Sequence, residues 1–344
     1  MNKLIPLYQS HKIKVCYLVL IILVVFLHSN LTQFGAEGIN YKFQYLVAHG
    51  FASVGVVMFY ALSGFLFFFT DKPYNISFFL SKLKKRFFSV FTPFVLWNCI
   101  GILIATIIFY TQDYYNLGQI EEPPIFSFTD LLYSIFFYNV YTYQLWFLRD
   151  LIILFLASPL LCVFIKFLKV YFLIPLLLFC IFPCNIGFVN AEAIIFFCTG
   201  AFFAIVFPSL LVYKVSFRTF ILVSSIYIIG TFFYCFLPPT TSIFGLSLRF
   251  LGCFTLWYGY DFIKILQTFD KNTILTSSFF IYTAHEPLLT IIKKIFLALL
   301  GNSQCALLLI FLSSPIICIT ICIIIKNFLN KYFPIVHNIL TGNR

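Results

Sequence analysis

The segment Val15-Cys-Tyr-Leu-Val-Leu-Ile-Ile-Leu-Val-Val-Phe-Leu-His28 carries no charged side chain before its closing histidine, and Lys3, Lys12 and Lys14 stand ahead of it. With the short tail that follows it makes a run over 15–33, close to the ~20 helical residues needed to cross a hydrocarbon core. Comparable runs recur at 51–70, 88–110, 145–165, 170–184, 191–210, 217–237, 243–262, 275–298 and 304–325. The 344-residue chain is 62% hydrophobic and only 10% charged, with a mean hydropathy of +1.02. A water-soluble domain is about a quarter charged and has no core large enough for so much apolar surface. The expected fold is all-α: a polytopic integral membrane bundle of about ten transmembrane helices, forming a single membrane-embedded domain over 1–344.

The net charge of +11 is distributed as topology demands. Lys3, Lys12 and Lys14 fall on one side with Lys72, Lys82, Lys84, Lys85 and Arg86, with Lys166 and Lys169, with Lys214 and Arg218, with Lys264 and Lys271, and with Lys326 and Lys331. The alternate loops hold Glu37 and Lys42, then Asp113, Glu121, Glu122 and Asp130, then almost no charge. By the positive-inside rule both termini are cytoplasmic, and the basic excess addresses lipid headgroups rather than nucleic acid. The eleven cysteines contain no C-x-x-C pair and lie mostly within apolar runs, so neither a metal site nor a disulfide framework is expected. No small-residue cleavage site follows the first run, which reads as a retained span.

Three places strain the ten-span scheme. The 170–184 run is short, Leu131 to Tyr143 is apolar enough for an extra interfacial or re-entrant helix, and Lys293-Lys294 fall toward the outer end of the ninth span, where they could snorkel. No internal repeat is visible, which disfavours the commonest transporter architectures.

Ionisable groups inside membrane helices are costly and mark function by default. The census is His28, Arg149 with Asp150, Glu192, Arg249, His285 with Glu286, and the basic run at Lys82 to Arg86. His28 is either a satisfied interfacial residue or a base, since an imidazole of ordinary pKa ~6.5 suits removal of a hydroxyl proton. The basic run is either a topology anchor or a grip on the phosphates of an anionic donor such as coenzyme A. Gly55, Ser63 and Gly64 let the second span approach a neighbour closely. Gln144-Leu-Trp146-Phe-Leu-Arg149-Asp150 opens a span with an aromatic belt. Its two adjacent charges point about 100° apart on a helix, so they are expected to serve different partners. His285 and Glu286 sit mid-span before Pro287, which frees a carbonyl, and they form either a site or an internally bonded packing element.

These segments, in this order, resemble the acyltransferase 3 family of bacterial integral membrane acyltransferases. The matching stretches are Leu23-Val-Val-Phe-Leu-His28, Gly55 through Ser63-Gly64-Phe65, and Lys85-Arg86 with Pro93-Phe94 and Trp97. They continue with Leu145-Trp146-Phe147-Leu148 leading to Ser158-Pro159, and with Phe280-Ile281-Tyr282 leading to His285-Glu286-Pro287, so that the likeness covers about 12–325. The resemblance implies a multi-pass O-acyltransferase of the bacterial cytoplasmic (inner) membrane. It would carry acetyl, or another acyl group, from acetyl-coenzyme A to a hydroxyl of a cell-surface glycan or its lipid-linked precursor, without metal. His28 takes the place of the catalytic histidine and Arg86 that of the first arginine of a cytoplasmic R-x-x-R motif. Two positions depart from the pattern. The arginine expected eleven residues before the histidine is Tyr17, with Lys14 one turn away as substitute, and the second motif arginine is Ser89, with Lys84 and Lys85 near enough to supply charge. Arg149, Asp150, His285, Glu286 and Trp146 remain substrate or structural candidates, with Arg149 or the Ser/Thr-rich stretch before His285 suited to an oxyanion. The partners expected are a glycan acceptor and membrane lipids, with a homo-oligomer left open. The rival reading is a transporter or flippase of lipid-linked sugars.

Overall fold

The computed structural model describes residues 5–115, 127, 129, 133, 135, 142–236 and 242–343. Among these the backbone is helical and contains no strand. The helices are α1 (Leu7–His28), α2 (Gly38–Tyr45), α3 (Val54–Phe68), α4 (Ile76–Arg86), α5 (Thr92–Tyr115), α6 (Trp146–Leu168), α7 (Leu173–Ile181) and α8 (Ala191–Val206). They continue with α9 (Phe217–Phe236), α10 (Ser242–Phe262), α11 (Ser278–Leu300), α12 (Gln304–Tyr332) and α13 (Pro334–Thr341). π-helical stretches at Leu46–Ala52 and Phe87–Phe91 join α2 to α3 and α4 to α5.

Every run read from the sequence overlaps one of these helices. Among the described residues, six stretches are long and apolar enough to cross a bilayer: Leu7–Phe34, Gly38–Phe68, Ile76–Ile107, Trp146–Ile181, Phe217–Phe236 and Gln304–Tyr332. Polar caps set several helix starts. Asn75, Asn190 and Ser303 each accept a backbone N–H of the first turn of α4, α8 and α12, which satisfies a donor that would otherwise be left open at the helix start. Gly301, at φ +73°, ends α11. The 170–184 run yields only the nine residues of α7. The further helix expected near 131–143 falls largely outside the described residues. The amphipathic α13 was not anticipated. It lies against α5, where Trp97 Nε1 donates to Leu340 O at 3.2 Å.

α1 is the central element, packing on α3, α10, α11 and α12. The most intimate contact is between α3 and α8. A Cβ on Gly64 would overlap the carbonyl oxygen of Phe197, and one on Gly200 would overlap that of Ala61. Gly55 plays the same part against α1, where an added Cβ would come within 2.9 Å of Leu20 O. In lipid, where hydrophobic transfer does not drive helices together, such backbone approach supplies the packing that holds them. Gly200→Leu should therefore lower the thermal midpoint of the detergent-solubilised protein, by overpacking that costs ~1–3 kcal/mol or more. A scanning-fluorimetry midpoint equal to that of the parent would show that α3 and α8 tolerate separation.

Candidate functional site

A cavity of about 430 Å³ runs between α1, α3, α6 and α11. One end carries Lys14, Tyr17 and Arg86; Phe59, Phe147 and Leu151 make apolar walls, and Tyr282 lines it farther along. The Arg86 guanidinium lies over the Phe155 ring at 5.1 Å, an arrangement that presents its edge to a ligand while the face is covered. Lys14 and Arg86, far apart in sequence, are thus brought to one cavity. Lys84 and Lys85 are exposed and do not line this cavity; Lys84 borders a separate groove beside Phe87 and Phe88. Ser89 is overlain by the end of α13, because a Cβ on Gly342 would come within 2.6 Å of the Ser89 Cα. Lys326 donates to Thr276 Oγ1 at 3.0 Å, fixing another wall residue.

At the other end of α1, His28 and His285 are neighbours, with ring centroids 5.4 Å apart. His285 is wholly buried, and its Nδ1 lies 2.7 Å from Tyr282 O and 3.1 Å from Ile281 O. Tyr282 therefore belongs both to the cavity wall and to the support of His285. Pro287 has no N–H to give Thr283 O, four residues earlier. That carbonyl accepts instead from Gln144 Nε2 at 3.3 Å, while Tyr282 donates its hydroxyl to Gln144 O at 2.5 Å. The carbonyl freed by the proline is used to lock the start of α6 onto α11. Lys293 does not snorkel: it is 5% exposed, and its ammonium donates to His28 O at 2.8 Å. The correction has a simple cause, since side chains on a helix lean toward its N-terminus and Lys293 reaches back along α11 toward His28. Glu286 accepts from Thr290 at 3.5 Å and is half-buried.

Arg149 and Asp150 correct a second expectation. They pair with each other at 3.3 Å, the long guanidinium folding back onto the wholly buried carboxylate. Asp150 also accepts from Tyr60 and from the backbone N–H of Asn190, both at 3.3 Å, and Arg149 donates to Phe188 O at 3.0 Å. These bonds tie α6 to α3 and to the loop before α8, and neither residue lines the cavity. Trp146 is half-buried, its ring 6.3 Å from that of Tyr60. Glu192 and Arg249 form an ion pair between α8 and α10.

Several residues were missed. Asp261 receives the Lys12 ammonium at 2.6 Å and the Tyr8 hydroxyl at 2.7 Å, while Lys12 also lies 4.3 Å from the centroid of the Trp257 ring. The signal was an acidic residue inside a predicted span, opposite a lysine that topology alone had seemed to explain. Gln144 and Lys293 gave less warning, because a neutral amide and a near-terminal lysine are ordinary in membrane helices.

No curated protein and no solved structure is similar enough to the chain to match it. The acyltransferase 3 family model, described as an acyltransferase domain, matches residues 15–326, a range that holds His28, His285 and every residue lining the cavity except Lys14. The chain accordingly belongs to the acyltransferase 3 family and is a membrane acyltransferase.

Proposed function

We propose that the chain is an O-acyltransferase of the bacterial inner membrane that takes acetyl, or a similar short acyl group, from coenzyme A and passes it to a hydroxyl of a surface glycan or its lipid-linked precursor. The observation that carries this reading is a chain of neighbours from cations to imidazoles: Lys14, Arg86 and Tyr282 line one cavity, the two imidazoles lie outside its wall, and the Tyr282 carbonyl holds His285 beside His28. Lys14 and His28 lie about 21 Å apart along α1, from 1.5 Å of rise per residue. A donor that is charged at one end and reactive at the other end of a long arm suits that separation. The basic clusters put the cavity's cationic end on the cytoplasmic side, where acyl-coenzyme A is found.

Arg86 and Lys14 hold the donor phosphates, and the apolar walls exclude water from the thioester. His28 takes the proton of the acceptor hydroxyl as its oxygen attacks the thioester carbonyl carbon. The carbon–sulfur bond breaks, and His28 returns the proton to the departing thiolate, giving ester and free thiol. The thioester is already activated, so positioning supplies much of the rate.

Two outcomes test this. Arg86→Ala should weaken acetyl-coenzyme A roughly ten- to a hundredfold, the ~1.5–3 kcal/mol of a charge-assisted hydrogen bond. Unchanged titration of the donor by a normally folded variant would reduce the cluster to a topology anchor. His28→Asn and His28→Gln should both lose acyl transfer by about 100-fold or more while still binding donor, since an amide keeps hydrogen bonds but takes up no proton. Retained turnover in either variant would remove His28 from the chemistry.

A further inference from the structure

His285 has two ring nitrogens, and the carbonyls of α11 account for one. Both contacts of Nδ1, at 2.7 and 3.1 Å, are to carbonyl oxygens, which only accept. Nδ1 must therefore carry the proton of the neutral ring, leaving Nε2 as a lone-pair acceptor. Nε2 is buried and has no hydrogen-bond partner. A buried acceptor left open in this way calls for a donor, and a second imidazole stands 5.4 Å away, centroid to centroid. The backbone beneath that imidazole is anchored to the same helix, through Lys293 on His28 O.

We propose that His285 is the positioning residue of His28, its Nε2 receiving the second N–H of the His28 ring when His28 becomes an imidazolium. The proposal rests on His28 being the base. When His28 accepts the hydroxyl proton at one nitrogen, its other nitrogen donates to His285 Nε2. When that proton goes on to the thiolate, His28 is neutral again. No proton is left on His285, and no co-reactant is needed. This is the logic of a base oriented by a third group, with a neutral ring where soluble enzymes often use a carboxylate. In a bilayer interior the neutral partner has an advantage. A carboxylate there would be a second buried charge to desolvate in the resting state, whereas an imidazole offers its lone pair at no such cost. The charged groups around His28 come from two elements: Lys293 on α11, with Glu286 two turns earlier on that helix, and His49 on the π-helical stretch before α3.

The test contrasts shape with lone pair. Full-length protein in detergent is assayed with acetyl-coenzyme A as donor probe, following thiol release and label transfer to glycan-bearing membrane extract, with donor KM and kcat separated. His285→Phe preserves the ring volume and removes the acceptor, whereas His285→Asn and His285→Gln keep an acceptor oxygen. We expect H285F to lose kcat by roughly a hundredfold with donor KM unchanged, and the better of the two amide variants to retain about tenfold more turnover than H285F. If H285F fails to accumulate, H285L against H285N provides the same contrast at smaller volume. A packing role predicts the opposite order, so an apolar variant matching or exceeding the amides, with His28→Asn inactive, would overturn this proposal alone. His28→Asn active would instead overturn the base assignment on which it rests.

Discussion

The last carbonyl of α1, on His28, is held by the ammonium of Lys293, and the candidate site depends on that contact. A helix leaves its final carbonyls without backbone donors. In water they would be solvated, but at membrane depth an unsatisfied one costs several kcal/mol. A buried lysine supplies the donor and also places positive charge at the negative end of the helix dipole. The same bond fixes the height of α1 against α11. Because His285 is rigidly bonded to the backbone of α11, fixing the two helices also fixes the distance between the two imidazoles.

The fold was legible in the sequence and the site only half so. Ten apolar runs and alternating charge describe a helical membrane bundle because the bilayer constrains length and polarity so strongly. The glycine contacts at Gly55 and Gly64 were legible for the same reason: small residues in an apolar run have few other uses. Pro287 announced a freed carbonyl, because missing an N–H is a covalent fact. Which side chain would answer it was not legible. Gln144 lies well over a hundred residues away and does so only because Tyr282 binds its carbonyl in return. Arg149 and Asp150 were misread by a local rule, since helix geometry separates neighbouring Cβ vectors but a long guanidinium can still bend back to an adjacent carboxylate.

The intramembrane charges divide into two kinds once partners are known. Lys12 with Asp261, Arg149 with Asp150, and Arg249 with Glu192 are neutralised across or along helices, and each joins elements that must stay in register. Where the pair is buried, as at Lys12 and Asp150, losing one member leaves the other desolvated, so such residues are costly to remove. Lys14 and Arg86 are different. They line one cavity and form no ion pair with a carboxylate among the described residues. Cost in lipid alone does not distinguish a structural pair from a binding cation.

The departures from the family pattern also become intelligible in three dimensions. Lys14 lines the same cavity as Tyr17, where the pattern has its arginine, because one helical turn keeps both on one face of α1. At Ser89 the explanation is different. The end of α13 lies so close to the Ser89 backbone that even one carbon added to Gly342 would collide with it. A second arginine there would have to share that space with the C-terminal helix, whereas serine leaves room for α13 to close against α5. Positive charge along the cavity thus comes from α1, through Lys14, as well as from Arg86 at the end of α4. The helix that supplies Lys14 is also the helix that ends on His28. In this chain, therefore, a single rigid element fixes the distance between a cation that lines the cavity and the imidazole that neighbours His285.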